Sequence, residues 1–84
     1  MNKDTAIIVF VSAKRNIQVD LEIPLDISAN DLVNALNTAY SLGIDTSNIK
    51  NCYLKSENPI ALLRGNKTLA EFGLRNGSII NYTE

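Results

Sequence analysis

The stretch from Ile27 to Ile44 is the longest segment of the chain with helical periodicity, and the rest of the sequence must fold around it. Ser28 is a favoured N-cap residue, and Asp31 three positions later completes a pattern similar to a capping box. Gly43 follows as a residue that commonly ends a helix. An apolar stripe recurs at helical spacing, formed by Leu32, Leu36, Ala39 and Tyr40. Because one amphipathic helix cannot bury its own stripe, the flanking segments must supply the surface that covers it.

Strand patterns lie on both sides of this helix. Thr5 to Ala13 is rich in β-branched residues. Ile17 to Pro24 alternates strictly between apolar and polar residues, which is typical of a half-buried antiparallel strand. The polar segment between the two predicts a hairpin. Three further strands are predicted after the helix, at Asn51 to Ser56, Ile60 to Leu63 and Ser78 to Tyr82.

The last predicted element before the final strand is a single helical turn from Leu69 to Phe72, capped by Thr68 and ended by Gly73. The full order is therefore β-hairpin, long helix, two short strands, short helical turn and final strand. This order predicts an α+β fold of the β-grasp type, in which one sheet folds over one helix. The first and last strands would lie side by side, joined through a right-handed crossover if they are parallel. We expect residues 1–84 to form a single domain.

Composition disfavours several classes of function. The net charge is −1 and no basic run exceeds Lys14-Arg15, so a nucleic-acid footprint is lacking. The chain has no histidine, which excludes Ser-His and Cys-His nucleophile pairs. Cys52 is the only cysteine, so we expect a buried structural thiol in a reducing compartment. These features predict a protein that is not an enzyme and needs no cofactor or metal.

The apolar run from Ala6 to Val11 superficially imitates a signal peptide. It is six residues long, whereas a signal sequence needs about 7–15 apolar residues, and Asp4 interrupts the basic flank. A strand fits this run better. No stretch approaches the roughly 18 apolar residues of a membrane span. We therefore expect a cytoplasmic protein without direct membrane insertion.

Three stretches of the sequence can be compared with known families: Ile17 to Pro24, the Ser28 to Leu42 helix, and Lys67 to Ser78. In this order and spacing they resemble ubiquitin-like domains across essentially the whole chain. Val19 to Pro24, and the Gly-Leu-Arg-Asn-Gly segment that ends at Gly77, look like the YukD/EsaB-like proteins of Gram-positive type VII secretion systems of the ESX/WXG type. The resemblance implies an accessory or regulatory component that binds the cytosolic part of the secretion machinery non-covalently.

The C-terminal sequence bears on the alternatives. Ubiquitin and its conjugated relatives end in a diglycine whose carboxylate is activated, whereas this sequence ends in Tyr82-Thr83-Glu84. Conjugation and sulfur-carrier roles are therefore disfavoured, although a modifier that lacks the usual diglycine stays open as an alternative. A generic ubiquitin-like adaptor unrelated to secretion is the second alternative.

The first strand supplies the candidate binding surface. If Ile7, Val9 and Val11 point inward, then Ala6, Ile8 and Phe10 point outward, where a one-sided sheet normally carries polar residues. An exposed apolar patch would indicate a partner surface or a homodimer interface. A register error of one residue would invert this assignment. The predicted binding residues are Ile8, Phe10, Tyr53 and Tyr82, with Lys55 and Glu22 at the polar rim.

Overall fold

A computed structural model of the chain describes residues 4–45, 47 and 53–82. Within these residues the chain forms five strands and one helix. They are β1 (Thr5–Ser12), β2 (Ile17–Pro24), α1 (Ala29–Tyr40), β3 (Leu54–Glu57), β4 (Ala61–Leu63) and β5 (Ile79–Asn81). Over the described residues, no helix combines the length and the apolar character needed to cross a membrane.

The five strands form one mixed sheet in the order β2-β1-β5-β3-β4. β1 pairs with β2 in antiparallel fashion and with β5 in parallel fashion. β3 then pairs antiparallel with both β5 and β4. The first and last strands are therefore neighbours, as the element order predicted, and the predicted β-grasp architecture is confirmed.

The helix begins where the sequence predicted and ends earlier. The Ser28 hydroxyl oxygen accepts a hydrogen bond of 3.1 Å from the backbone N–H of Asp31, which confirms the N-cap. The predicted end at Leu42, with Gly43 as the terminating residue, is two residues too late, because Ser41 adopts a left-handed conformation with φ of 53° directly after Tyr40. Asn37 then holds the returning chain, since its side-chain amide donates to the carbonyl of Ile44 at 3.1 Å and accepts from the Ile44 N–H at 3.0 Å. These contacts turn the chain back over the end of the helix.

The core lies between α1 and one face of the sheet. Apolar side chains from the helix, from all five strands and from the segments after α1 and β4 are almost fully excluded from solvent. The buried set comprises Ala6, Ile8, Phe10, Ile23, Ala29, Leu32, Val33, Leu36, Leu42, Leu54, Leu63, Leu69, Leu74 and Ile80. The stripe predicted for the helix is thus covered by the sheet, apart from its last turn, where Ala39 is exposed.

The predicted orientation of the first strand is wrong. Ile8 and Phe10 are 0% exposed and point toward the helix, whereas Ile7 is 54% exposed on the opposite face. The reason is the length of the β1–β2 connection. Ser12 pairs with Ile17, so four residues form the turn, whereas an inward-facing Ile7 would require a turn with one residue more or fewer. A shift of one residue moves every side chain of a strand to the other face.

The remaining boundaries differ from prediction by a few residues. β3 begins at Leu54, and the predicted start at Asn51 and the predicted burial of Cys52 lie outside the described residues. The segment Leu69 to Phe72 forms consecutive hydrogen-bonded turns and not the predicted helical turn. Thr68 nevertheless caps it, because its hydroxyl accepts a 3.2 Å hydrogen bond from the N–H of Glu71, and Gly73 ends it with φ of 84°.

Candidate functional site

The face of the sheet that points away from α1 has an apolar centre. On this face the strand registers place the odd-numbered residues of β1 beside Ile79 of β5. Leu62 of β4 lies on the same face, with Lys55 of β3 between it and β5. Ile7 is 54% exposed and Leu62 is 42% exposed, while the other members are half-buried. We call this surface the outer sheet face; its apolar members are Ile7, Val9, Val11, Leu62 and Ile79.

A groove lies at one end of the outer sheet face, where the β3–β4 hairpin meets β5. Its volume is about 510 Å³, and it is lined by Lys55, Ser56, Glu57, Ile60, Ala61, Leu62 and Asn81. Ile60 at its border is 90% exposed, which makes it the most exposed of the large apolar side chains in the described residues. A groove of this shape and lining can accept an apolar side chain from another protein.

Two buried serines fix the turn that presents Ile60. The Ser56 hydroxyl donates to the carbonyl of Pro59 at 2.8 Å, and the Ser78 hydroxyl donates to the carbonyl of Asn58 at 2.6 Å. Ser78 lies just before β5, so its bond ties the hairpin turn to the neighbouring strand. The position of Ile60 is therefore set by the sheet itself. A backbone that is already fixed need not be ordered on binding, which reduces the entropy lost.

Polar and charged residues flank the apolar centre on both sides. On the β2 side the Glu22 carboxylate accepts a hydrogen bond of 2.9 Å from the Thr5 hydroxyl. On the β3 side the side-chain amide of Asn81 donates to the carboxylate of Glu57 at 3.1 Å, and exposed Lys55 lies directly opposite Asn81 in the register. An apolar centre with a polar rim is the arrangement found in protein–protein interfaces.

The four residues predicted to bind a partner do not come together. Ile8 and Phe10 lie in the core, because the first strand faces the other way. Tyr82 is half-buried and packs against the core, so it lies on the helix side of the sheet. Tyr53 is 42% exposed directly before β3. Of the four, Tyr53 alone presents a largely exposed side chain, while the predicted rim residues Lys55 and Glu22 are both exposed.

Sequence reasoning missed the apolar members of the outer sheet face because it assigned Ile7, Val9 and Val11 to the core. Two signals point the other way. A turn that begins after Ser12 and ends with Asn16 in a left-handed conformation gives the observed register, and asparagine is the non-glycine residue that tolerates this conformation best. Phe10 is also the bulkiest apolar residue of the strand, and large aromatic side chains contribute most when buried.

Two exposed carboxylates have pKa values lowered by hydrogen bonds from nearby residues. Hydrogen bonds from the hydroxyl and N–H of Ser47 lower the pKa of Asp45, and those from the N–H and hydroxyl of Thr68 lower the pKa of Glu71. Both carboxylates lie outside the five strands. Across the part of the chain that the structure describes, no three His, Cys, Asp or Glu residues are grouped so that they could hold a metal ion.

Comparison with known proteins identifies a family and a fold. The family model described as "WXG100 protein secretion system (Wss), protein YukD" matches residues 6–81. A sequence search of curated proteins gives no significant match.

Several solved structures share the fold. The ubiquitin-like domain of tubulin-binding cofactor B has a TM-score of 0.76 and 17% identity, over 99% of this chain and 92% of that one. The ubiquitin-like domain of the Mycobacterium tuberculosis type VII secretion system protein ECCD1 has a TM-score of 0.57 and 15% identity, over 96% and 99% of the two chains. At these identities the structures establish the ubiquitin-like fold.

Proposed function

The chain belongs to the YukD family of the WXG100 protein secretion system, and we propose that it serves there as a non-enzymatic accessory or regulatory component in the cytoplasm. It acts by non-covalent binding, with the outer sheet face docked onto a cytosolic part of the membrane-bound secretion machinery. The occurrence of a ubiquitin-like domain within another type VII secretion protein supports this assignment, because it places the same fold in the same kind of system.

The observation that carries the proposal is the apolar centre of the outer sheet face. Strands with one solvent-facing side normally carry polar residues there, as β2 does with Gln18, Asp20 and Glu22. β1 instead presents three aliphatic side chains on that side, and Ile79 of β5 extends this apolar area. Leu62 of β4 is a second exposed apolar group on the same face, beyond Lys55 and Glu57 of β3. Exposed apolar surface of this kind, bordered by polar residues, marks an interaction site.

In this mechanism the two most exposed members of the face supply most of the binding free energy. Ile7 and Leu62 lose contact with water when the partner covers them, and an apolar side chain of the partner enters the groove beside Ile60. Lys55 and Glu22 form polar contacts at the rim, and Tyr53 contributes at the β3 end. Because the sheet holds these groups rigidly, docking needs little rearrangement of the chain.

A generic ubiquitin-like adaptor unrelated to secretion would use the same surface, so the identity of the partner separates the two functions. We would titrate the protein with purified cytosolic domains of the type VII secretion membrane proteins from the same cell, using isothermal titration calorimetry. The proposal expects saturable binding to one of them. It is contradicted if none of these domains binds at micromolar concentrations.

Two substitutions test the surface itself. Ile7→Asp places a charge in the apolar centre and Leu62→Asp places one in the groove, and we expect each to weaken binding at least tenfold because that charge must be buried on docking. Ala35→Asp is the matched control, since Ala35 is exposed on the helix, away from the sheet face, and the added charge is the same. Equal affinity of all three variants would show that the partner binds elsewhere.

A further inference from the structure

β2 is a long edge strand whose outer side is unpaired within the described residues. It lies at one end of the sheet, next to β1 alone, and it runs for eight residues from Ile17 to Pro24. The strand at the opposite edge, β4, has three residues. A long edge presents a row of backbone donors and acceptors that another extended segment can pair with. β2 is therefore the edge of this sheet best suited to strand addition.

The strand registers show which backbone groups point outward from this edge. The hydrogen bonds from Val9 N–H to Ser78 O and from Gly77 N–H to Ile7 O show that the backbone groups of the odd-numbered β1 residues bond to β5. The even-numbered residues of β1 therefore pair with β2, and the bond from Leu25 N–H to Asp4 O continues that ladder. The β2 residues that pair with these even-numbered residues are the apolar ones, so their backbone groups are already bonded to β1. The N–H and C=O groups that remain for an added strand belong to Gln18, Asp20 and Glu22.

Next to this edge, the helix leaves part of the apolar surface uncovered. Val19 and Leu21 lie on the helix side of β2, directly opposite Phe10 and Ile8 in the register. Their partners on β1 are fully buried, whereas Val19 and Leu21 are only half-buried, as is Ile17. An added strand would complete their burial with its own apolar side chains. The edge thus favours a segment with apolar residues at every second position.

The other face of the same edge is acidic. Asp20 and Glu22 are exposed, and both lie on the outer side of β2. If a second copy of this chain paired through β2, the acidic side chains of one copy would lie opposite those of the other, which is destabilising. The same charges favour a strand that carries lysine or arginine there. Charge therefore distinguishes between the two kinds of occupant.

We propose that the free edge of β2 binds an extended segment of a partner protein in which apolar residues alternate with basic residues. The segment adds a sixth strand to the sheet, with its backbone bonded to Gln18, Asp20 and Glu22. Its apolar side chains cover Val19 and Leu21, and its basic side chains lie opposite Asp20 and Glu22. The backbone edge of β2 is distinct from the apolar centre of the outer sheet face, although Glu22 borders both surfaces.

The probe for this site is an end-blocked heptapeptide of alternating lysine and valine, added to the isotope-labelled full chain. The readout is amide hydrogen exchange, followed by NMR at each residue. We expect exchange at the N–H groups of Gln18, Asp20 and Glu22 to slow at least tenfold at saturation, because these donors become hydrogen-bonded. A peptide of the same composition with its lysines grouped together, and an alternating glutamate–valine peptide, should leave these rates unchanged.

Asp20→Lys tests the charge argument. It should weaken peptide binding roughly two- to thirty-fold, the range expected when cross-strand pairs change from opposite to like charges. Glu57→Lys is the matched control, because Glu57 is an exposed residue of β3, three strands away from the edge of β2, and the change in charge is the same. We expect it to alter the dissociation constant less than twofold.

Three results would overturn the proposal. If the grouped-lysine peptide slowed amide exchange at this edge as much as the alternating peptide does, binding would reflect nonspecific charge attraction. Protection of the edge in the peptide-free protein, increasing with protein concentration, would show pairing between two copies of the chain. Unchanged exchange at Gln18, Asp20 and Glu22 at saturating peptide would show that the acidic residues serve to keep the edge unpaired. None of these results alters the test of Ile7 and Leu62, so the two surfaces are judged separately.

Discussion

The aromatic ring of Phe10 in β1 packs against the ring of Tyr40 in the last turn of α1, with centroids 5.2 Å apart and planes inclined at 38°. This spacing is within the range of favourable aromatic pairs. The contact joins the central region of the sheet to the end of the helix and holds the even-numbered side chains of β1 in the core. By the same alternation it leaves Ile7, Val9 and Val11 on the outer sheet face.

Truncation of Phe10 should therefore damage the fold and not a surface. We expect Phe10→Ala to lower the free energy of unfolding by about 3–5 kcal/mol, because it removes a fully buried ring and leaves a cavity. Ile7→Ala, three residues earlier on the same strand and on the exposed face, should cost about 1 kcal/mol or less. Urea denaturation measures both. A larger loss for Ile7→Ala than for Phe10→Ala would contradict the observed orientation of β1.

Ser41 offers a test of how the helix ends. Its φ of 53° is a conformation that glycine adopts more easily than any residue with a Cβ atom. We expect Ser41→Gly to raise the free energy of unfolding by about 0.5–1 kcal/mol, since the relief of strain exceeds the added entropy of the unfolded chain. Ser41→Ala is the control and should give no gain. Thermal and urea denaturation of the three proteins should rank Gly first.

The pKa of Glu71 predicts a dependence of stability on pH. Hydrogen bonds from the backbone N–H and the hydroxyl of Thr68 to its carboxylate, at 3.1 and 3.0 Å, lower the pKa of Glu71 below its ordinary value of 4.5, and the Lys67 ammonium adds to this. A folded-state pKa below the unfolded value means that this contribution is fully present above about pH 4.5. It is lost as the pH falls through the folded-state pKa.

Glu71→Gln keeps an acceptor oxygen for Thr68 but removes the titrating proton. We therefore expect the variant to lose less stability than the native chain between pH 5 and pH 3, as measured by denaturation at a series of pH values. NMR titration of the Glu71 carboxyl should give a pKa below 4.5 in the folded protein. Identical pH profiles for the two proteins would contradict the role of this capping carboxylate.

Much of the fold is readable from local patterns. Ser28 and Asp31 mark the start of the helix, and the strict alternation from Ile17 to Pro24 identifies both faces of β2. Asn76-Gly77 marks the turn into β5, where Gly77 has φ of 88°. Each of these features depends on residues that are near one another in the sequence, so a single stretch is enough to predict it.

The candidate site was predicted less well, for a physical reason. Residues 6–11 are all apolar, so β1 has no alternation of its own, and its facing depends on whether the turn to β2 has an odd or an even number of residues. Ser12, the polar residue at the end of β1, is fully buried, although its polarity would predict that the even-numbered residues face solvent. The groove beside Ile60 depends on the pairing of β3 with β5, residues more than twenty positions apart, and no local pattern reports it.

Docking of the outer sheet face onto a cytosolic part of the secretion machinery can be observed by methyl NMR. The full chain is labelled at isoleucine and leucine, and one purified cytosolic domain of that machinery is added. We predict that the methyl signals of Ile7, Leu62 and Ile79 lose intensity by cross-saturation from the partner, while those of buried Ile8 and Leu36 do not. Loss of signal intensity confined to methyl groups away from the outer sheet face would contradict docking through this face.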